Sequence, residues 1–118
     1  MIRDFDDMTK KLLKNPHAGE ILKTEFLDEI GMSQNALARA INVPSNRIHD
    51  IVKGQRSITA DTDLRLCKFF ELSEGYFLRL QLAYEILEAK RKLVNAIEKI
   101  KPHSIYQQTT SLRPSKKA

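Results

Sequence analysis

The chain has 118 residues, 42% hydrophobic and 30% charged, which suits one domain with a modest core. Its net charge is +5, but residues 101–118 hold four basic residues and no acid, so the body is nearly balanced at 16 basic against 15 acidic. No apolar run nears the roughly 20 residues that cross a bilayer, "MIRDFDDMTKKLLKN" is not expected to act as a secretory signal, and the single cysteine, Cys67, rules out an internal disulfide or a cysteine cluster.

In chain order, the hydrophobic spacing predicts helices and almost no strand. A first helix is expected from about Ala18 to Ile30, with Ile21, Leu22, Phe26 and Ile30 on one face and Gly31 as its stop. Ser33 suits the N-cap of a second helix through Ile41, which buries Leu37 and Ile41 with the small Ala38 beside them. "NVP" interrupts it: Asn42 tolerates a left-handed backbone, and Pro44 suits the start of a new helix.

The third helix, about Ser45 to Lys53, is expected to bury Ile48, Ile51 and Val52 and to stop at Gly54. Thr59 caps a fourth, with Leu64, Cys67 and Phe70 at core spacing and Asp61 near its positive end. Ser73 caps a fifth through at least Ala89, on which Phe77, Leu80, Tyr84 and Leu87 recur every three or four residues. The pattern continues through Val94, Ile97 and Ile100 to Pro102, and a polar, aperiodic tail follows that is expected to be flexible. The predicted fold is all-α, with an N-terminal arm (1–16), a five-helix domain (17–87), and a helical extension with a flexible basic tail (88–118).

Two short helices joined by a tight turn suggest a helix-turn-helix. Ala38 supplies the small residue where the helices cross, Asn42 the unusual backbone angles, and Leu37, Ile41, Val43, Ile48 and Ile51 the apolar lock. Ser45, Asn46, Arg47, His49 and Asp50 are left outside the core pattern. Polar residues at a helix start are usually solvated surface. These types also suit base edges: Arg binds guanine O6 and N7, and Asn binds adenine N6 and N7, each with two hydrogen bonds. Ser33 and Gln34, opening the second helix, can donate to a phosphate, and Lys53 and Arg56 would flank the same backbone. Asp50 can accept from cytosine N4, hold Arg47, or repel phosphate. The spacing from Gln34 to Gly54 favours binding of double-stranded DNA.

These residues also carry a family resemblance. "HAGEILKTEFLDEIGMSQNALARAINVPSNRIHDIVKGQRSITADTDLRL" and, more loosely, "LSEGYFLRLQLAYE" resemble the HigA-type antitoxins, also called virulence-associated protein I, of the Xre/Cro-like helix-turn-helix proteins. Gly-Glu-Ile-Leu at 19–22, "SQNALARAI", "NRI" at 46–48 and "ITADT" at 58–62 are the most specific matches. The resemblance implies a five-helix lambda-repressor-like DNA-binding domain acting as a dimer on a palindromic operator. It also implies a RelE-like toxin partner, a ribonuclease of ribosome-associated mRNA that the antitoxin neutralises while the complex represses its own operon. By position, Ser45, Asn46, Arg47, His49 and Asp50 would face the groove, and Gln34, Lys53, Arg56 and Thr59 would lie near phosphates. Ala18 stands where the family commonly has proline, Asn42 where it has the turn glycine, and Ser73-Glu74-Gly75-Tyr76-Phe77 where it often reads Ser-Pro-Glu-Phe-Trp.

The fifth helix carries a second apolar row, Leu78, Leu82 and Ile86, which a second copy of the chain would cover; a thicker core or a folded-back 88–101 segment is the alternative. Two recognition helices about 34–36 Å apart reach successive major-groove faces. His17, His49 and His103 are too scattered to suggest a metal site, His17 is expected to make local helix-end contacts, and Cys67 is expected to be a buried thiol. Neither catalysis nor a cofactor is expected, and a lone cysteine suits the reducing cytoplasm. The competing functions are a stand-alone dimeric transcription regulator without a toxin and a helical adaptor that binds only protein.

Overall fold

The computed structural model describes residues 15–103. The arm before residue 15 and the tail after 103 lie outside the described residues, as does the flexibility expected of that tail. Among the described residues there are five helices and no strand: α1 (18–30), α2 (Gln34–Ile41), α3 (Ser45–Val52), α4 (Ala60–Phe70) and α5 (Tyr76–Glu98). The all-α class and the helix order are those predicted. Two compact units divide between Glu88 and Ala89, within α5.

Local signals explain most of the boundaries. His17 caps α1 through its ring, Nδ1 accepting the Glu20 N–H at 3.2 Å, so the helix starts at Ala18 without the proline. Ser33 Oγ accepts the Ala36 N–H at 3.0 Å to start α2, and Thr59 caps α4 by accepting from Thr62. Gly31 and Asn42 both adopt left-handed angles, φ 68° and 61°, and end their helices. The core of the first unit gathers Leu22, Leu37, Ile48, Ile51, Leu66 and Phe77, with Cys67 buried as expected. Phe26 seals one side, tilted against Phe70 and Phe77 at centroid distances of 5.0 and 5.3 Å.

Three local expectations are corrected. The middle of α1, Leu22–Leu27, is a π-turn in which the Asp28 N–H reaches back five residues to Lys23 O. The extra residue per turn aligns Leu27 with Leu22, so Leu27 is buried and Ile30 turns outward, 57% exposed.

Leu64 is likewise 47% exposed, because α4 turns Thr62, Asp63, Leu66 and Cys67 inward. The reason lies at the start of α5. Asp63, 1% exposed, accepts backbone N–H groups from Gly75 (2.7 Å), Phe77 (2.9 Å) and Leu78 (3.2 Å). A carboxylate from another helix thus satisfies the donors that the sequence assigned to Ser73. Ser73 Oγ instead accepts from Arg79 at 3.1 Å.

Candidate nucleic-acid interface

The α2–turn–α3 unit is fixed from both ends of the turn. Val43 N–H returns to Ala38 O at 3.0 Å, and Ala38 is buried where the two helices meet. Arg65, reaching over from α4, donates through Nη1 to Ile41 O (2.9 Å) and Asn42 O (3.3 Å), closing the free carbonyls at the end of α2. On the inner side α3 is locked by Ile48 and Ile51, both buried, while Val52 is only half-buried.

The outer face of α3 sorts the predicted base readers into two groups. Ser45 and Asn46 are exposed, and their side chains make no hydrogen bond among the described residues. The other three have protein partners. Arg47 Nη1 lies 3.9 Å from Asp61 Oδ1, and Asp50 pairs with Arg56 at 3.9 Å. Asp50 therefore holds Arg56, not Arg47.

His49 turns toward α2, with Nδ1 2.6 Å from Gln34 Oε1 and Nε2 3.0 Å from Asn35 Oδ1. Both ring nitrogens engage the first turn of α2, so His49 braces the two helices together. A regular pattern of exposed polar residues in sequence gives no hint of this, because Gln34 and Asn35 reach it across the turn.

The predicted phosphate contacts cluster less evenly. Ser33 and Gln34 stand at the start of α2, where unpaired backbone N–H groups and the helix dipole favour an anion. Ser33 Oγ has already accepted the capping bond, which leaves its hydroxyl hydrogen to donate. Lys53 and Arg56 are exposed just beyond α3. Thr59 is the exception: its hydroxyl is taken up at the start of α4, with Thr62 as both donor and acceptor partner.

The loop carrying Lys53 and Arg56 is clamped by Gln81, a role that the helical spacing of the sequence does not show. Its side-chain amide accepts the Ile58 N–H at 2.7 Å and donates to Ile58 O at 3.0 Å. A polar side chain between Phe77 and Tyr84 on the apolar row was the available signal. The i,i+4 spacing of Arg65 from Asp61 is visible in the sequence, but its hold on the turn carbonyls is not.

Among the described residues no group of three or more His, Cys, Asp or Glu side chains could hold a metal ion, and no helix is long and apolar enough to cross a membrane.

Known proteins share this fold. A helix-turn-helix family matches residues 24–77. Virulence-associated protein I of Dichelobacter nodosus is 45% identical over 75 residues, spanning 64% of this chain and 69% of that protein. The Pseudomonas aeruginosa antitoxin HigA, solved with the higBA promoter, is 39% identical and superposes with a TM-score of 0.69 over 75% of this chain and 97% of that one. The chain belongs to the HigA family of helix-turn-helix proteins. An addiction-module antidote of the HigA family from Coxiella burnetii agrees, at 44% identity and a TM-score of 0.70 over 75% of this chain and 98% of that one.

One HigA-like sequence feature and one departure from the family pattern have physical reasons. Gly19, in Gly-Glu-Ile-Leu, is where α1 meets the backbone of α3 at Ile51. Asn42 serves in place of the turn glycine because its φ of 61° is one that asparagine adopts at little cost.

Proposed function

We propose that this chain is a sequence-specific DNA-binding antitoxin of a type II toxin–antitoxin system, which represses its own operon and neutralises a RelE-like mRNA-cleaving toxin. The observation that carries the DNA-binding part is the outer face of α3: exposed Ser45 and Asn46, with Arg47 beside them, stand on a helix pair locked to the core. Arg47 and Asn46 read base edges, with Ser45 and Asp50 at the rim of the same surface. His49 contributes by holding α2 against α3. Ser33 and Gln34 at the start of α2, and Lys53 and Arg56 beyond α3, position the phosphate backbone. Thr59 supports this edge as the cap of α4.

The chain acts as a dimer through the α5 row, since operators that repeat at one helical turn need two recognition helices. Leu82 and Ile86 are 55% and 47% exposed, whereas Leu78 packs half-buried on the core and forms the edge of that row. The toxin is the second partner, and family membership supports it. The lone, buried Cys67 agrees with work in the cytoplasm.

The test has two arms. In the first, a duplex enriched by the full chain from a random-sequence library is compared with a scrambled duplex. Arg47→Ala is expected to weaken binding to the selected duplex by about 1–3 kcal/mol and to spare the scrambled one. Lys53→Ala is expected to weaken both alike and to lower the salt slope by about 1. Equal losses on both duplexes from Arg47→Ala would remove its base-reading role.

In the second arm, native pull-down with mass spectrometry is expected to find a small basic partner at comparable stoichiometry. Expressed alone it should arrest growth, and this chain should relieve the arrest. Self-association alone, with DNA binding intact, would make the chain a stand-alone regulator.

A further inference from the structure

The half-buried ring of His49 sits between two side-chain amides from the first turn of α2. Its Nδ1 lies 2.6 Å from Gln34 Oε1, and its Nε2 lies 3.0 Å from Asn35 Oδ1. Both partner atoms are carbonyl oxygens, which only accept, so both ring nitrogens have to donate. A neutral imidazole has one N–H, and only the imidazolium has two. The ring is thus held in the geometry of its cation, although Asp50, the one acid on α3, is paired with Arg56 instead.

We infer that His49 is a proton-linked positioning residue: as the imidazolium it turns the Gln34 and Asn35 amides so that both present NH2 groups to the phosphate backbone, and DNA binding takes up a proton. This rests on the phosphate role proposed for the start of α2.

The amides make the link. With both carbonyl oxygens turned to the ring, their NH2 groups are left to donate outward beside Ser33. When the ring loses its proton, one of its nitrogens becomes an acceptor. One amide then turns over to donate to it, and sets a carbonyl oxygen where its NH2 stood. A phosphate that binds the NH2 is repelled by that oxygen.

The surrounding charges set the direction. Arg39 on α2 stands one turn beyond Asn35, and Lys53 stands one turn beyond His49, both exposed. Arg47 leans toward Asp61. The two cations oppose the imidazolium in the free protein, and bound phosphates offset them. Affinity therefore falls as pH rises through the histidine range, about pH 5 to 8. Phosphates are common to every sequence, so the selected and scrambled duplexes are affected alike.

Binding of the full chain to both duplexes at pH 6 and pH 8, at one ionic strength, tests this. The parent is expected to bind each about threefold or more weakly at pH 8, the worth of one hydrogen bond. Titration calorimetry at pH 7, in buffers of different ionisation enthalpy, should show net proton uptake. His49→Gln keeps a donor but does not titrate, and its change between the two pH values should be less than about twofold, left to the other titrating groups. Asn35→Ala keeps the histidine but leaves no second amide that has to turn, and should behave like His49→Gln.

A pH dependence in His49→Gln equal to the parent's would overturn the inference. So would an Asn35→Ala chain as pH-dependent as the parent, by showing that the ring's charge acts without the amides. If Gln34→Ala bound both duplexes at pH 6 as tightly as the parent, the phosphate role at the start of α2 would itself fall.

Discussion

Gly19 on α1 lies so close to Ile51 on α3 that a Cβ built on it would sit 1.8 Å from the Ile51 carbonyl oxygen. The obstacle is backbone, which cannot rotate aside as a side chain can. Gly19→Ala is therefore expected to cost about 3 kcal/mol in urea unfolding, by forcing α1 off α3. The gain in helix propensity from alanine, about 1 kcal/mol, is too small to offset it. A midpoint equal to that of the parent would show that α1 and α3 pack differently.

The carboxylate of Asp63 is the second long-range fixture. Asp63→Ala would leave the N–H groups of Gly75, Phe77 and Leu78 without that acceptor at the start of α5. The expected loss is about 3 kcal/mol. Asp63→Asn, which keeps one acceptor oxygen, should lose less. Faster amide exchange at Phe77 and Leu78 than in the parent would locate the damage, and its absence would show that another group caps the helix.

Gln81→Ala removes both hydrogen bonds to the buried Ile58 backbone. Stability is expected to fall by about 1–2 kcal/mol. The loop that carries Lys53 and Arg56 would loosen, so affinity for scrambled DNA should fall as well. Hydrogen exchange at the Ile58 amide is the direct readout. Unchanged protection would mean that the loop is held elsewhere.

Leu82→Glu combined with Ile86→Glu places two charges on the exposed row of α5. If that row joins two copies, self-association should weaken by about a hundredfold or more, given the usual gain from burying two such side chains. Sedimentation would show this, while the thermal midpoint of the monomer should scarcely move. A dimer of unchanged affinity would place the contact on another face.

What the sequence by itself determined is local. The capping roles of His17, Ser33 and Thr59, the left-handed residues Gly31 and Asn42, and the buried positions of Leu37, Ile41, Ile48 and Ile51 depend on neighbours within a turn or two, where periodicity and capping chemistry act. The exposed polar face of α3 was legible as what that pattern left over.

Tertiary structure decided the rest. Whether Asp63 or Leu64 faces inward depends on the start of α5, where the Gly75 N–H, twelve residues beyond Asp63, takes that carboxylate as its acceptor. Ile30 turned out because a π-turn in α1 shifted its register to suit Leu22 and Leu27. Arg47 found Asp61, Asp50 found Arg56, and His49 found Gln34 and Asn35, each across a turn or from another helix. Such partners meet only after the core has packed, since it is the crossing of helices, and not spacing along the chain, that brings their charges and hydrogen-bonding groups within reach.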